Sequence, residues 1–126
     1  MIFKPNTPSR KFLVGNNKKF FMEDCGSVHL KPDQQVTFKT DNGSEYDVAQ
    51  KNWGFYATPS LNGRLIEFNL KPVLVRNIKT NKYFILLVHK DRDVEFKHYL
   101  DEEGLEVILW LNEDTLHTIK QQHSGN

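Results

Sequence analysis

Apolar and polar residues alternate in short runs through the first half of the chain, and turn residues separate the runs. Phe12–Val14 and Phe20–Met22 flank the polar stretch Gly15–Lys19, a spacing that predicts a hairpin. Val28 and Leu30 alternate with His29 and Lys31, and Lys31-Pro32-Asp33-Gln34 sets proline where a type I turn accepts it. Val36 and Phe38 then alternate with Thr37 and Lys39, Asp41-Asn42-Gly43-Ser44 reverses the chain, and Tyr46 and Val48 resume the pattern. An Asn-Gly step between two such runs predicts antiparallel pairing of Gln35–Thr40 with Glu45–Gln50, because both residues tolerate positive φ.

The pattern changes after Asn69. Pro72–Ile78 and Tyr83–His89 are apolar runs joined by the hairpin residues Lys79-Thr80-Asn81-Lys82. The second run hardly alternates, which predicts a central strand covered on both faces. Asp91 or Asp93 is placed to cap a helix over Val94–Glu103, and Gly104 to end it in a left-handed conformation. Leu105–Leu111 reads as a further strand, after which Asn112 caps a last helix with Leu116 and Ile119 inward. A helix between two strands favours a right-handed crossover, hence parallel pairing of Phe84–Val88 with Val107–Leu111. The expected fold is α+β in one domain spanning 1–126. A β-rich half of short antiparallel strands and hairpins, 1–70, packs on a β-hairpin–helix–strand–helix unit, 71–122. Lys71-Pro72 marks the step between them. From Gln121 the composition is polar, and 123–126 read as a disordered tail.

Composition sharpens this. The 126 residues suit one domain, and although only 38% are hydrophobic, 12% are aromatic and nine are phenylalanine, so each core ring buries much area. Seventeen Lys and Arg balance sixteen Asp and Glu, a net charge of +1 that gives no field to steer the chain onto nucleic acid or anionic lipid. Cys25 is alone, so no internal disulfide forms. The opening MIFKPNTPSRKFLVG lacks the unbroken apolar run of a secretory segment, and Tyr83–Val88 is too short to cross a bilayer. A cytoplasmic setting without a membrane segment is the expectation.

The stretch that invites a functional reading is Trp53–Leu65, WGFYATPSLNGRL. Trp53, Phe55 and Tyr56 offer flat faces to a sugar, a base or a peptide. Ser60 and Asn62 add hydrogen-bonding groups, and Arg64 is able to hold a carboxylate or phosphate. The competing reading makes the same rings filler between the two halves, with Pro59 and Asn62-Gly63 as turns. Tyr56 and Arg64 are the pair expected to face out.

Other constellations are weaker. Asp24-Cys25-Gly26 with His29 has the ingredients of a thiol site, yet the neighbouring aspartate opposes thiolate formation, so a buried structural cysteine is expected. The five histidines show no paired spacing, which with one cysteine argues against a metal site. Asp91-Arg92-Asp93 and Asp101-Glu102-Glu103 read as solvated helix ends. Lys82–Val88 lacks the glycines and alternating exposed rings of an RNA-binding strand, and no phosphate-cradling glycine motif follows any strand. No catalytic residue and no cofactor are implied. Two alternatives stay open: a small enzyme acting on a sugar or sugar nucleotide, using Ser60, Asn62, Arg64, Asp24 and His29, and a homodimer or partner contact through exposed edge strands.

Asp24-Cys25-Gly26, the hairpin through Asp41-Asn42-Gly43 and, above all, Trp53–Leu65 resemble a group of small uncharacterised bacterial proteins encoded among genes for cell-surface polysaccharide synthesis. The resemblance covers most of the chain. It implies a carbohydrate-related role and carries over no catalytic residue. The sequence thus leads to a non-catalytic binding or accessory module that uses Trp53–Leu65 for a carbohydrate-related ligand or a protein partner.

Overall fold

A computed structural model of the chain describes residues 1–16 and 20–124. Part of the expected loop Gly15–Lys19 and the last two residues lie outside that range. The elements run β1 (Ile2–Val14), β2 (Phe20–His29), β3 (Gln35–Lys39), β4 (Glu45–Lys51), β5 (Gly54–Ala57), α1 (Arg64–Glu67), β6 (Leu70–Asn77), β7 (Tyr83–His89), α2 (Asp93–Glu103), β8 (Leu105–Trp110) and α3 (Glu113–Ser124). The strands form three antiparallel sheets, ordered β1-β2, β3-β4-β5 and β7-β6-β8, so the fold is α+β with a β-rich first half. The chain divides into two compact units: Met1–Thr37 with Asp47–Thr58, and Phe38–Tyr46 with Pro59–Asn126.

In the first unit the strands are longer than their alternation suggested. β1 and β2 make a two-stranded ribbon in register from Ile2 opposite His29 to Val14 opposite Phe20. Between Pro5 and Arg10 the register shifts, leaving residues 6–9 opposite Cys25 alone. Most positions of the ribbon are exposed, and Cys25 is exposed instead of buried as expected. The turn Lys31–Gln34 closes by Gln34 N–H donating to the Lys31 carbonyl at 3.1 Å. Asp33 has φ 68°, which fits a type II turn and excludes type I. Asp47 is buried and accepts hydrogen bonds from Thr37 Oγ1 at 2.6 Å and Thr58 Oγ1 at 3.3 Å.

The β3–β4 loop, in the second unit, has three residues. Gly43 N–H donates to the Thr40 carbonyl and Thr40 N–H to that of Ser44, both at 3.1 Å. Gly43 alone takes positive φ, 91°, so the loop is a turn followed by a glycine bulge, not a two-residue Asn-Gly turn.

The second unit is organised around β6. Val73 and Val75 are fully buried, Val88 of β7 joins them, and Phe96, Leu100, Val107 and Trp110 pack over them. Phe96 of α2 meets Trp110 of β8 edge to face at 5.8 Å. Lys71 of β6 binds Asp93 of α2 at 2.7 Å, and Arg76 of β6 binds Glu106 of β8 at 2.7 Å. The sheet order corrects two expectations. β7 is an edge strand with Tyr83, Phe84 and Ile85 exposed, and the strand with most buried positions, β6, takes the centre. β7 and β8 both run antiparallel to β6, so they share a direction without pairing. Pro72 lies inside β6, one residue before the pairing with β8 begins at Val73, where its missing N–H leaves no gap in that ladder.

Helix ends follow sequence chemistry with one change. Gly104 closes α2 at φ 65°, as placed. Arg92, not Asp91 or Asp93, occupies the N-cap and makes no side-chain cap, while Asp93 enters the first turn. Asn112 caps α3 reciprocally: Thr115 N–H donates to Asn112 Oδ1 and Asn112 N–H to Thr115 Oγ1, both at 3.0 Å. Leu116 and Ile119 are half-buried as expected, and α3 continues to Ser124 through residues that composition assigned to the tail.

Candidate functional site

The segment Trp53–Leu65 is distributed over both units. Asn52 and Trp53 form the turn of the β4–β5 hairpin, where Lys51 pairs with Gly54. Trp53, Phe55 and Tyr56 are 69%, 71% and 51% exposed, so none of the three is interior filler. Phe55 and Tyr56 are consecutive in β5 and point to opposite faces, so the rings do not form one platform. Gly54 has φ 149°, which explains the glycine by backbone conformation without a ligand.

The polar candidates belong to the second unit and have work in its folding. Ser60 Oγ accepts the Arg64 N–H at 2.8 Å, and the Ser60 carbonyl accepts that of Leu65 at 3.0 Å. Asn62 donates to Glu113 Oε2 at 2.7 Å, linking the turn to α3. The Arg64 guanidinium lies 5.1 Å from the centre of the Phe68 ring. Leu65, fully buried, anchors the segment. Arg64 is exposed, as is Tyr56.

A groove that the sequence did not reveal lies in the second unit, between β7 and α2. Its volume is about 420 Å³, at the small end of the range for small-molecule sites. Leu86, Val88 and Phe96 give it apolar walls, and Arg92, Glu95 and Tyr99 add polar groups. Glu95, Phe96 and Tyr99 follow helical spacing in one stripe on α2, and Arg92 precedes them at the N-cap. Among the described residues, no carboxylate lies within ion-pair distance of Arg92.

His89 lines the same groove and is fixed from behind. Ser44, only 3% exposed, sits 2.7 Å from His89 Nδ1 and 3.4 Å from the Asn69 carbonyl. A serine so enclosed is out of a substrate's reach, so this Ser–His pair orients the imidazole instead of supplying a nucleophile. His89 Nε2 has no protein partner among the described residues. A second, polar hollow of about 290 Å³ is lined by Asn42, Asn69, Lys90, Asp91 and Arg92, so Arg92 borders both. Asn69 and Asp91 hold left-handed conformations there, φ 65° and 68°. The sequence signal for this site was the stripe through Glu95 and Tyr99 with Arg92 before it, which the cluster Asp91-Arg92-Asp93 disguised as a solvated helix end.

Asp24 and His29, named for the enzymatic alternative, lie on β2 in the first unit. Asp24 accepts from Gly26 N–H at 3.3 Å and pairs with Arg10 at 3.4 Å, and His29 stands opposite Ile2. Among the described residues no group of three or more His, Cys, Asp or Glu is placed to hold a metal ion, and no helix is long and apolar enough to cross a membrane. Fold and site together define an α+β protein with a groove-bearing sheet-and-helix unit. Compared with protein-family models, curated proteins and solved structures, the chain matches none.

Proposed function

We propose that the protein is a non-catalytic binding module whose ligand seat is the β7–α2 groove. The ligand is a small amphipathic molecule: an apolar body lies along Leu86, Val88 and Phe96, and an anionic group meets Arg92. One observation carries this reading, a guanidinium without a carboxylate partner at the side of an apolar groove. Glu95 and Tyr99 suit hydroxyl or amine donors on the same ligand, and His89 Nε2 offers one further hydrogen bond. The test is a titration followed by NMR shifts, using decanoate and phenylphosphate as probes against wild type and Arg92→Gln. Shifts confined to β7 and α2, lost in the variant, support the proposal. Equal binding by both proteins, or shifts elsewhere, overturns it.

A second reading rests on the exposed rings of the β4–β5 hairpin, which suit a carbohydrate or a protein partner. The resemblance to proteins encoded with polysaccharide-synthesis genes favours a sugar. Quenching or blue-shift of Trp53 emission by oligosaccharides, abolished in Tyr56→Ala, would distinguish it from the groove.

A further inference from the structure

The β1–β2 ribbon carries exposed apolar side chains that the groove reading leaves unexplained, Ile2, Leu13 and Phe21 on one face and Phe3, Phe20, Met22 and Val28 on the other. Along β2, Phe20, Met22, Asp24 and Val28 fall on every second position and share a face, and their partners Val14, Phe12, Arg10 and Phe3 lie beside them, although β1 itself breaks step between Pro5 and Arg10. Phe3, Met22 and Phe20 remain 54%, 53% and 45% exposed. A two-stranded ribbon is marginal in water unless one face is covered. All of these residues belong to the first unit.

Charge suggests what covers it. On this face β1 carries Arg10 and no acid, and β2 carries Asp24 and no Lys or Arg, while Lys4, Lys11 and Glu23 lie on the other face. A partner ribbon with the same composition is complementary if its β2 lies over this β1. A two-fold axis parallel to the strands produces that arrangement when two copies stack face to face. Arg10 of each copy then meets Asp24 of the other, Phe3 meets Val28, and Phe12 meets Met22, the reciprocal pattern of an isologous contact. Edge-to-edge pairing of β1 with β1 or β2 with β2 would oppose like charges, and Pro5 and Pro8 remove donors from β1. The exposed parts of the face amount to on the order of 500 Å² per copy, roughly 1,000 Å² in all, the lower limit for a specific interface.

We infer that a second copy of this chain covers the Phe3–Phe12–Phe20 face of the ribbon, with β1 of each copy stacked over β2 of the other. The contact is a weak, concentration-dependent dimer. Cys25 lies on the opposite face and stays accessible to thiol reagents in the dimer.

Sedimentation equilibrium of the full chain, from micromolar to millimolar concentration, tests this. Wild type is expected to dimerise. Arg10→Asp and Asp24→Arg are each expected to raise the dissociation constant at least about tenfold, because each places like charges across the interface twice. Mixing the two variants restores attraction at both contacts, so a one-to-one mixture should form the heterodimer. Each variant also loses its own Arg10–Asp24 pair, and mixing cannot repair that within a chain. Recovery on mixing therefore reports the interface and not local folding. Met22→Lys, checked by circular dichroism, is expected to be folded and monomeric. A wild-type monomer at all concentrations, a dimer that persists in the single variants, or no heterodimer on mixing overturns the inference.

Discussion

Replacing Ser44 with alanine tests whether the hidden hydroxyl behind His89 both stabilises the second unit and sets its groove. The hydroxyl is 3% exposed, and its 2.7 Å contact joins residues 45 apart in sequence. Losing one such hydrogen bond costs about 1 kcal/mol, and stranding His89 Nδ1 adds a comparable penalty at full burial. His89 is half-buried, so the expected loss is about 1–2 kcal/mol, or a fall of roughly 4–8 °C in Tm for a chain of this size. Urea denaturation followed by Trp110 emission, in a Trp53→Phe background, isolates the second unit, because the chain has two tryptophans. A double-mutant cycle with His89→Phe separates this contact from the general cost of each substitution. The expected coupling is about 1 kcal/mol. A Ser44→Ala loss below about 0.5 kcal/mol, or a coupling indistinguishable from zero, would refute the account of the pair. The same variant should weaken probe binding in the groove, since an unanchored imidazole must be ordered again when a ligand meets Nε2.

Four further substitutions test the frame that holds the groove. Val75→Ala empties the fully buried centre of β6 and should cost about 2–3 kcal/mol. Ile85→Ala, at a position 56% exposed on edge strand β7, should cost no more than about 0.5 kcal/mol, as chemical denaturation will show. Gly104→Ala meets no atom within 4 Å, so its expected cost of about 1–2 kcal/mol comes from holding a side chain at φ 65°. Gly104→Asn should recover part of that loss in the same thermal melts, because asparagine tolerates this conformation.

What the sequence disclosed was mostly local. The helix ended by Gly104 and the cap at Asn112 depend on residues within a turn of one another, and both are where their chemistry put them. The turns at Gly43 and Lys79–Lys82 were equally readable, although Gly43 takes a three-residue loop. Strand order was not local. The run Tyr83–Val88 is apolar enough for a centre strand, but α2 reaches only its Val88 end, and the other end faces solvent. β6, the other apolar run, takes the centre because β7 and β8 flank it and Phe96 and Leu100 of α2 pack on its buried valines. The groove was hidden for the same reason. It needs α2 against β7 and Ser44 against His89, contacts that no window of sequence contains.

Trp53–Leu65 and the groove differ in how their polar groups are engaged. Residue type made Ser60, Asn62 and Arg64 attractive, because hydroxyl, amide and guanidinium groups all recognise ligands. Those same hydrogen-bonding powers are what a short turn and a four-residue helix need to hold together, and each of the three groups is engaged by Arg64 N–H, Glu113 or Phe68. Arg92 presents the reverse case: an exposed guanidinium bordering an apolar groove, with no carboxylate within ion-pair distance among the described residues, at a helix start where it makes no cap. Accounting for the partners of each polar group therefore separates Ser60, Asn62 and Arg64, which are engaged within the second unit, from Arg92, on which the proposed groove reading depends.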